Sequence, residues 1–451
     1  MKACVLRDIG KLVYEDVPRP VPKEGEVLVH VKACGICGSD IPRVFTKGTY
    51  HFPTIPGHEF SGVIEALGDS VDSEWLHKRV AVFPLLPCRS CPACERGSYA
   101  QCENYDYLGS RSDGAFSEYV TCPVWNLILL PDNVPFDVGA MLEPAAVAYH
   151  AATRAGLAPG ENALVVGAGT IGLITALWLR FSGADTVVLC DVDASHLSFA
   201  EGLGFPALNS TDPEFSNKLD KLSGGRGIAC AFDCVGIAPA LETCLSNVRT
   251  GGTVVAVGNP AGDMLLHQAA YWQILRKELR LVGTWNSSYL GKDNDWIKVI
   301  RAMESGHLNL ARLITHRFAL SEHQEAFGIL REKKEFSVNV GLHVDTYHGN
   351  FEELDICAAW KTAGDRIRHV HISENTRGIP GTGCAVHSKL FEALKELHYD
   401  GWLTIEAFSR AVPALSARLH IWREMALPED IAVQGLQYID GMLKKFGMQR
   451  G

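Results

Sequence analysis

No stretch of this sequence is apolar, long and unbroken enough to cross a bilayer. The most apolar segment, Ala163 to Leu179, is interrupted by Gly167, Gly169 and Gly172. The opening residues, MKACVLRDIG, carry charge but no apolar h-region, so no secretory signal is read there and a cytoplasmic protein is expected. There is no block of Lys and Arg, and the formal net charge is -10. That balance argues against nucleic acid or an anionic membrane as a partner. Tandem repeats, low-complexity tracts and long linkers are also missing. With 47% apolar and 21% charged residues, the composition excludes a disordered, collagenous or coiled-coil chain. The 14 cysteines are not spread as a disulfide framework would be. Four of them crowd between Cys88 and Cys102, which in a reducing compartment points to metal.

What is present falls into three textures, matching the roughly three domains that 451 residues suggest. The first 150 or so residues hold short alternating runs such as Glu26–Val31 and Gly62–Leu67, punctuated by Gly and Pro, and read as β. Beyond Thr153, apolar runs at Asn162–Val166, Thr186–Cys190, Ile228–Phe232, Thr253–Val257 and Leu279–Val282 alternate with helix-like stretches, among them Ile171–Phe181. Buried parallel strands alternating with helices have this texture. In the last third, strands are predicted at Val338–Asp345, Ile367–Ser373 and Trp402–Ala407. Helices are predicted at Phe351–Thr362, His387–Leu397 and Pro428–Lys445. An abrupt join lies within Lys333–Leu342.

Gly167-Ala168-Gly169-Thr170-Ile171-Gly172 follows a predicted strand and opens a predicted helix. Gly167 permits the tight turn, Gly169 the approach of a pyrophosphate, and Gly172 close packing of helix on strand. The helix N-terminus offers free N–H groups to phosphate. Asp191 lies 19 residues past Gly172, at the end of the next strand, where a carboxylate accepts hydrogen bonds from ribose hydroxyls. It would repel the 2′-phosphate of NADP, and Val192-Asp193-Ala194-Ser195 supplies no Arg, so NAD is the expected cofactor. Its contacts are assigned to Gly167, Gly169, Thr170, Ile171, Gly172, Asp191, Val235, Val257 and Gly258.

Cys88, Cys91, Cys94 and Cys102, spaced x2, x2 and x7, put four thiolates on one loop. Such a set closes a tetrahedron around zinc with no open position, as a structural site does. A second set is dispersed: Cys37, the pair His58-Glu59, and Glu143. Thiolate, imidazole and carboxylate are a mixed donor set that leaves room for water or substrate, although spacing alone does not link them.

These strings carry a resemblance. Residues 1 to about 342 resemble the zinc-dependent medium-chain dehydrogenases, nearest the polyol branch that includes the galactitol-1-phosphate 5-dehydrogenases. The similarity lies in Cys37-Gly38-Ser39-Asp40-Ile41-Pro42-Arg43, Gly57-His58-Glu59-Phe60-Ser61-Gly62, Pro84-Leu85-Leu86-Pro87-Cys88, Leu108-Gly109-Ser110-Arg111, Asp113-Gly114 and Arg276-Lys277-Glu278-Leu279. The resemblance implies an α/β protein with a β-rich GroES-like catalytic domain, residues 1–148 with 288–340 returning to it. Into this domain a Rossmann doubly wound parallel sheet, residues 149–287, is inserted. It implies a catalytic zinc at Cys37, His58, Glu59 and Glu143, with Glu59 and Glu143 acting directly or through water. It implies a structural zinc at the four cysteines and assembly as a homodimer or tetramer. The implied reaction is NAD-linked oxidation of a secondary alcohol of a polyol or polyol phosphate to the ketose. Ser39, two residues after Cys37, is the candidate to take the hydroxyl proton. Where many relatives place a proton-passing His, this chain has Pro42, so the relay is shortened or runs through the cofactor ribose and water. A phosphorylated substrate needs cationic donors; Arg43, Lys47 and Arg111 are the candidates.

From Asn339 the chain resembles a second family, the D-tagatose/D-psicose 3-epimerases, which are metal-dependent (β/α)8 barrels. The matching strings include His343-Val344-Asp345-Thr346-Tyr347-His348, His369-Val370-His371-Ile372-Ser373-Glu374-Asn375-Thr376-Arg377-Gly378 and Tyr399-Asp400-Gly401-Trp402. The resemblance implies metal ligands at Asp345, His371 and Glu406, with Mn2+ as the ion, and substrate contacts at His348 and Arg377. A fourth ligand, a Glu from an earlier strand, has no counterpart, because five of the strand–helix units are missing. Residues 341–451 are thus expected to form a partial, three-unit TIM-barrel-like fragment, inactive by itself, with open strand edges. Phe336–Leu342 matches both the last dehydrogenase strand and a barrel strand. Two other function classes follow: a ketose isomerase completed by another chain, and a non-catalytic zinc-binding fusion. The joint presence of Cys37, His58, Glu59, Glu143 and Asp191 argues against the last.

Overall fold

The computed structural model describes residues 1–332 except 261 and 293. In the tail it describes 344–345, 360, 369–372, 380, 387–399, 402–405 and 428–448. The chain divides into two compact units, Met1–Gly341 and Leu342–Gly451. Among the described residues no helix is long and apolar enough to cross a membrane.

The first unit opens with a hairpin of β1 (Lys2–Asp8) and β2 (Lys11–Asp16). Five further strands form an antiparallel sheet: β3 (Glu26–Gly35), β4 (Glu59–Leu67), β5 (Arg79–Val82), β8 (Tyr119–Pro123) and β9 (Leu127–Leu129), in the order β8-β3-β4-β5-β9. A small ribbon pairs β6 (Leu85–Leu86) with β7 (Asp106–Tyr107). Val27, Val29, Phe60, Ile64, Val80 and Val82 form the center of one apolar cluster. Alternation along each strand sends those side chains to one face. The strands at 26 and 62 are therefore as predicted but longer, since β4 begins at Glu59 and places the His58-Glu59 pair at a strand start.

The second sheet is parallel and six-stranded: β10 (Ala163–Val166), β11 (Val187–Asp191), β12 (Ala207–Asn209), β13 (Ile228–Asp233), β14 (Val248–Ala256) and β15 (Arg280–Gly283). Its order, β12-β11-β10-β13-β14-β15, is the doubly wound order with a switch point between β10 and β13. β10 and β13 are buried at every residue, which is why they read as unbroken apolar runs. β12 was not predicted. It is a three-residue edge strand with two residues half-buried and one exposed, so it carries neither a long apolar run nor an alternation.

The helix Leu142–Ala155 packs on the helix Thr170–Phe181. Its inner face is alanine (Ala145, Ala148, Ala152), which lets Trp178 reach across and donate its Nε1–H to the Ala145 carbonyl at 3.3 Å. Gly156, at φ 65°, ends that helix in the left-handed region.

The second unit holds a parallel sheet of β16 (Val344–Asp345), β17 (His369–Ile372) and β18 (Trp402–Ile405). The helices His387–Glu396 and Pro428–Phe446 share a core with it around Val370, Ile372, Phe391 and Met442. From β17 onward the described residues follow the predicted alternation of strand and helix. The predicted helix Phe351–Thr362 and the two-way strand Phe336–Leu342 lie outside the described residues, Trp360 apart.

Candidate active site

Three glycines build the approach to His58. Gly57 sits at φ 99° and Gly109 at φ 80°. A Cβ on Gly114 would overlap the Gly57 carbonyl oxygen and the Gly109 backbone, and a Cβ on Gly109 would overlap Gly57. Only hydrogen fits at these contacts. The Gly57 carbonyl accepts from Ala115 N (2.9 Å), and Asp113 Oδ1 accepts from Ile55 N (2.9 Å). The Asp113-Gly114 pair thus holds the strand start that aims His58 and Glu59.

Cys37, His58 and Glu59 converge, with one ligand atom of each within 4.8 Å of the others. Residues 37 and 58–59 come from separate segments and meet only because β3 pairs with β4, Gly35 facing Glu59 in register. Glu143, in the first turn of its helix, is not within that 4.8 Å set. It accepts a hydrogen bond from the Tyr107 hydroxyl at 3.1 Å, and its charge is felt at both Cys37 and Glu59. Burial, then the charges of Glu59, Asp40 and Glu143, push the Cys37 thiol well above its usual range. Burial, then Glu143 and Asp40, do the same to Glu59. Burial lifts Glu143 to about 7, partly offset by Tyr107. His58 is pulled down, also by burial. Acidic groups crowded out of water in this way are what a divalent cation relieves, so the residues present fit a metal.

Asp40, fully buried, is the partner that sequence reading missed. Its Oδ2 accepts from Cys37 N at 3.0 Å, and its Oδ1 lies 3.6 Å from His58 Nδ1 and takes a hydrogen bond from the Arg43 guanidinium. His58 Nδ1 itself has no hydrogen-bond partner, an orphaned buried nitrogen of the kind a metal would satisfy. Arg43 is engaged with Asp40 rather than free for substrate. Arg111 donates to the Tyr105 carbonyl (2.9 Å) and the Tyr50 hydroxyl (3.2 Å) and stacks on both rings, while Lys47 is exposed. The Ser39 N–H points to Cys37 Sγ at 3.5 Å.

The four-cysteine loop is self-contained. Cys88, Cys91, Cys94 and Cys102 bring their sulfurs within 4.8 Å of one another. Two pairs, 88–94 and 91–102, are 3.9 Å apart. A tetrahedron with Zn–S bonds of about 2.3 Å has edges of about 3.8 Å, so this set fits zinc as well. The Ser90 backbone N–H, with lesser help from the Ser90 hydroxyl, draws the Cys88 thiol down to about 6. Burial pushes Cys94 to about 12.

In the dinucleotide region Gly167 adopts φ 98°, a Cβ on Gly172 would overlap the Gly167 carbonyl, and Gly169 has open space where its Cβ would be. Thr170 and Ile171 start the helix. Asp191 ends β11. Burial raises its pKa, but the His196 side chain and the N–H groups of Ala168 and Asp193 outweigh this and bring it to about 2. Val235, Val257 and Gly258 gather around a residue that was not predicted, Asp233. Its Oδ1 accepts from Val235 N and Gly236 N (both 3.0 Å), and its carbonyl accepts from Val257 N (2.9 Å) and Gly258 N (2.8 Å).

In the tail, Asp345 and His371 stand opposite each other on β16 and β17. Glu406, His348 and Arg377 lie outside the described residues.

Comparison with known proteins agrees with this architecture. Residues 23–132 match the alcohol dehydrogenase GroES-like domain and residues 170–305 the zinc-binding dehydrogenase domain. Residues 314–441 match the xylose isomerase-like TIM barrel. The chain is 34% identical over 319 residues to galactitol 1-phosphate 5-dehydrogenase of Escherichia coli K12, covering 70% of this chain and 91% of that protein. It is 31% identical over 333 residues to sorbitol dehydrogenase of Bacillus subtilis, covering 72% and 92%. The crystal structure of galactitol-1-phosphate dehydrogenase from Escherichia coli superposes with a TM-score of 0.70 at 32% identity, over 75% of this chain and 99% of that one. The chain belongs to the zinc-dependent medium-chain polyol dehydrogenase family.

Proposed function

We propose that this chain oxidises a secondary alcohol of a polyol or polyol phosphate to the corresponding ketose with NAD. The observation that carries the reading is the buried trio of Cys37, His58 and Glu59, three donors of different kind within 4.8 Å, crowded by Asp40 and Glu143. Cys37, His58 and Glu59 hold a zinc ion, with Glu143 at its rim, and Cys88, Cys91, Cys94 and Cys102 hold a second ion. When bound, zinc supplies the charge that acidifies the alcohol, and NAD supplies the carbon that receives the hydride.

The remaining work belongs to the chain. Asp40, itself held by the Arg43 guanidinium, accepts from the Cys37 N–H and so fixes the loop that carries Cys37. Ser39 Oγ takes the proton leaving the substrate hydroxyl while handing its own on to the cofactor ribose and water, because Pro42 downstream offers no side chain to do so. Asp191 stays ionised at neutral pH and disfavours a coenzyme carrying a 2′-phosphate. Arg111, with N–H groups beyond the two already engaged, is the cation available to a substrate phosphate.

A panel of galactitol 1-phosphate, galactitol, D-sorbitol and D-xylitol, assayed with NAD and with NADP by the growth of reduced-nicotinamide absorbance, tests this. Turnover of at least one of them, faster with NAD, is expected from zinc-loaded protein. No turnover of any of them overturns the reading.

A further inference from the structure

Trp296 is fully buried, and its indole N–H can only donate. It donates to Ser287 Oγ at 2.9 Å. The Ser287 hydroxyl then donates to Asn286 Oδ1 (3.0 Å), and Asn286 Nδ2 donates to the Tyr107 hydroxyl oxygen (3.4 Å). With its oxygen occupied as an acceptor, Tyr107 donates its own proton to Glu143 Oε1 at 3.1 Å. The indole fixes the direction of the first bond, and a Glu143 carboxylate, which only accepts, fixes that of the last. Glu143 is therefore addressed at one oxygen as an acceptor.

The elements that carry the chain are pinned. Asn286 adopts φ 55°, a left-handed conformation that Asn tolerates. The next turn is tied down by Asp295, whose Oδ2 accepts from Ser288 N at 2.7 Å and meets His150 Nδ1 at 2.9 Å. His150 and Glu143 lie on the same helix. The Tyr107 ring also stands edge-to-face with His58, centroids 5.7 Å apart. The segment leaving the last strand of the parallel sheet thus reaches the rim of the candidate metal cluster through one phenol.

We propose that Tyr107 is a positioning residue: held as a donor by Asn286, it fixes Glu143 at the rim of the Cys37–His58–Glu59 cluster. It keeps that carboxylate from closing on the metal and so preserves the position that the substrate hydroxyl takes. The proposal rests on the reading of that cluster as the catalytic metal site.

The test uses the full chain reconstituted with Co2+ and, separately, with zinc. Tyr107→Phe keeps the ring on His58 and loses only the hydroxyl. Asn286→Gly removes the amide at a left-handed position where Gly carries no strain. Each variant and the double variant are compared by visible Co2+ spectrum, bound metal, melting temperature and steady-state kinetics with galactitol 1-phosphate and NAD. Both single variants are expected to shift the visible bands, with metal content unchanged. Loss of a hydrogen bond to a charged group is expected to lower kcat at least tenfold, with KM within about twofold. The double variant is expected to match Tyr107→Phe alone, since both changes cut one chain. A Tyr107→Phe spectrum that superposes on the wild type, additive losses in the double variant, or a rise in KM with kcat intact would each overturn the positioning role. Wild-type protein that takes up no Co2+ beyond the four-cysteine loop would instead overturn the metal reading itself.

Discussion

The two cysteine-bearing clusters of the first unit are built in opposite ways. The four-cysteine loop draws all its donors from residues 88–102, needs no partner strand, and its sulfurs already stand near tetrahedral spacing. The Cys37–His58–Glu59 cluster draws on the adjoining ends of two paired strands and borrows Asp40, Tyr107 and Glu143 around them. A closed, local, single-element donor set favours holding a fold together. An open, dispersed, mixed set leaves charge unbalanced and a position free. On the proposed reading, the contrast separates stability from chemistry within one lobe.

Substitutions should pull the two apart. Cys37→Ala is expected to reduce kcat/KM on the order of 10³-fold or more, several kcal/mol of lost charge stabilisation, while the melting temperature stays within a few degrees. Cys91→Ala is expected to act on the other axis. Losing a structural ion should cost at least ~3 kcal/mol of unfolding free energy, read in denaturant titration or as a fall in soluble yield, with the active fraction keeping near-normal kcat. Equal effects of both variants on stability would erase the distinction.

Gly114→Ala probes how far the open cluster depends on its surroundings. Its Cβ would collide with Gly57 and Gly109 backbone, so a loss of about 2 kcal/mol in stability and a matching drop in activity are expected. Gly169→Ala, where nothing lies within 4 Å, should leave the melting temperature unchanged and raise the KM for NAD.

The smallest effects are expected at Asp191. Asp191→Asn should narrow the NAD-to-NADP ratio of kcat/KM by about tenfold. The same residue has a pH signature. Its folded pKa of about 2 lies below the ordinary 3.8, and its side chain is only 15% exposed. A lowered carboxylate pKa contributes stability above the unfolded value and loses it as pH falls through the folded one. About 2 kcal/mol should therefore disappear between pH ~4 and ~2 in the wild type, and the acid limb of Asp191→Asn should be flatter there.

Local chemistry was the legible part of this protein. The glycine turn at Gly167–Gly172, the acid at Asp191 and the cysteine loop each declare themselves within a few residues, because the atoms that cooperate are close in the chain. The buried strands β10 and β13 were readable for the same reason. The edge strand β12 was not, since three half-exposed residues carry no period. Nor did spacing reveal that a buried Asp40 lies beside His58, that Gly57, Gly109 and Gly114 touch, or that Tyr107 joins Asn286 to Glu143. Those contacts join residues up to 179 positions apart, and only the pairing of strands and the packing of helices creates them. Asp233 had a local signal, an acid closing an apolar strand before a glycine. Its part in gathering Val235 and Gly258 depends on β14 lying beside β13.

The central claim is that the open cluster holds a metal on which alcohol oxidation depends. Elemental analysis and turnover measured on the same samples of wild type and Cys37→Ala test it most directly. The wild type is expected to carry about two zinc ions per chain and to reduce NAD with a polyol. Cys37→Ala is expected to carry one ion and to show no turnover. A Cys37→Ala protein that carries one ion and still oxidises the polyol at the wild-type rate would contradict the account.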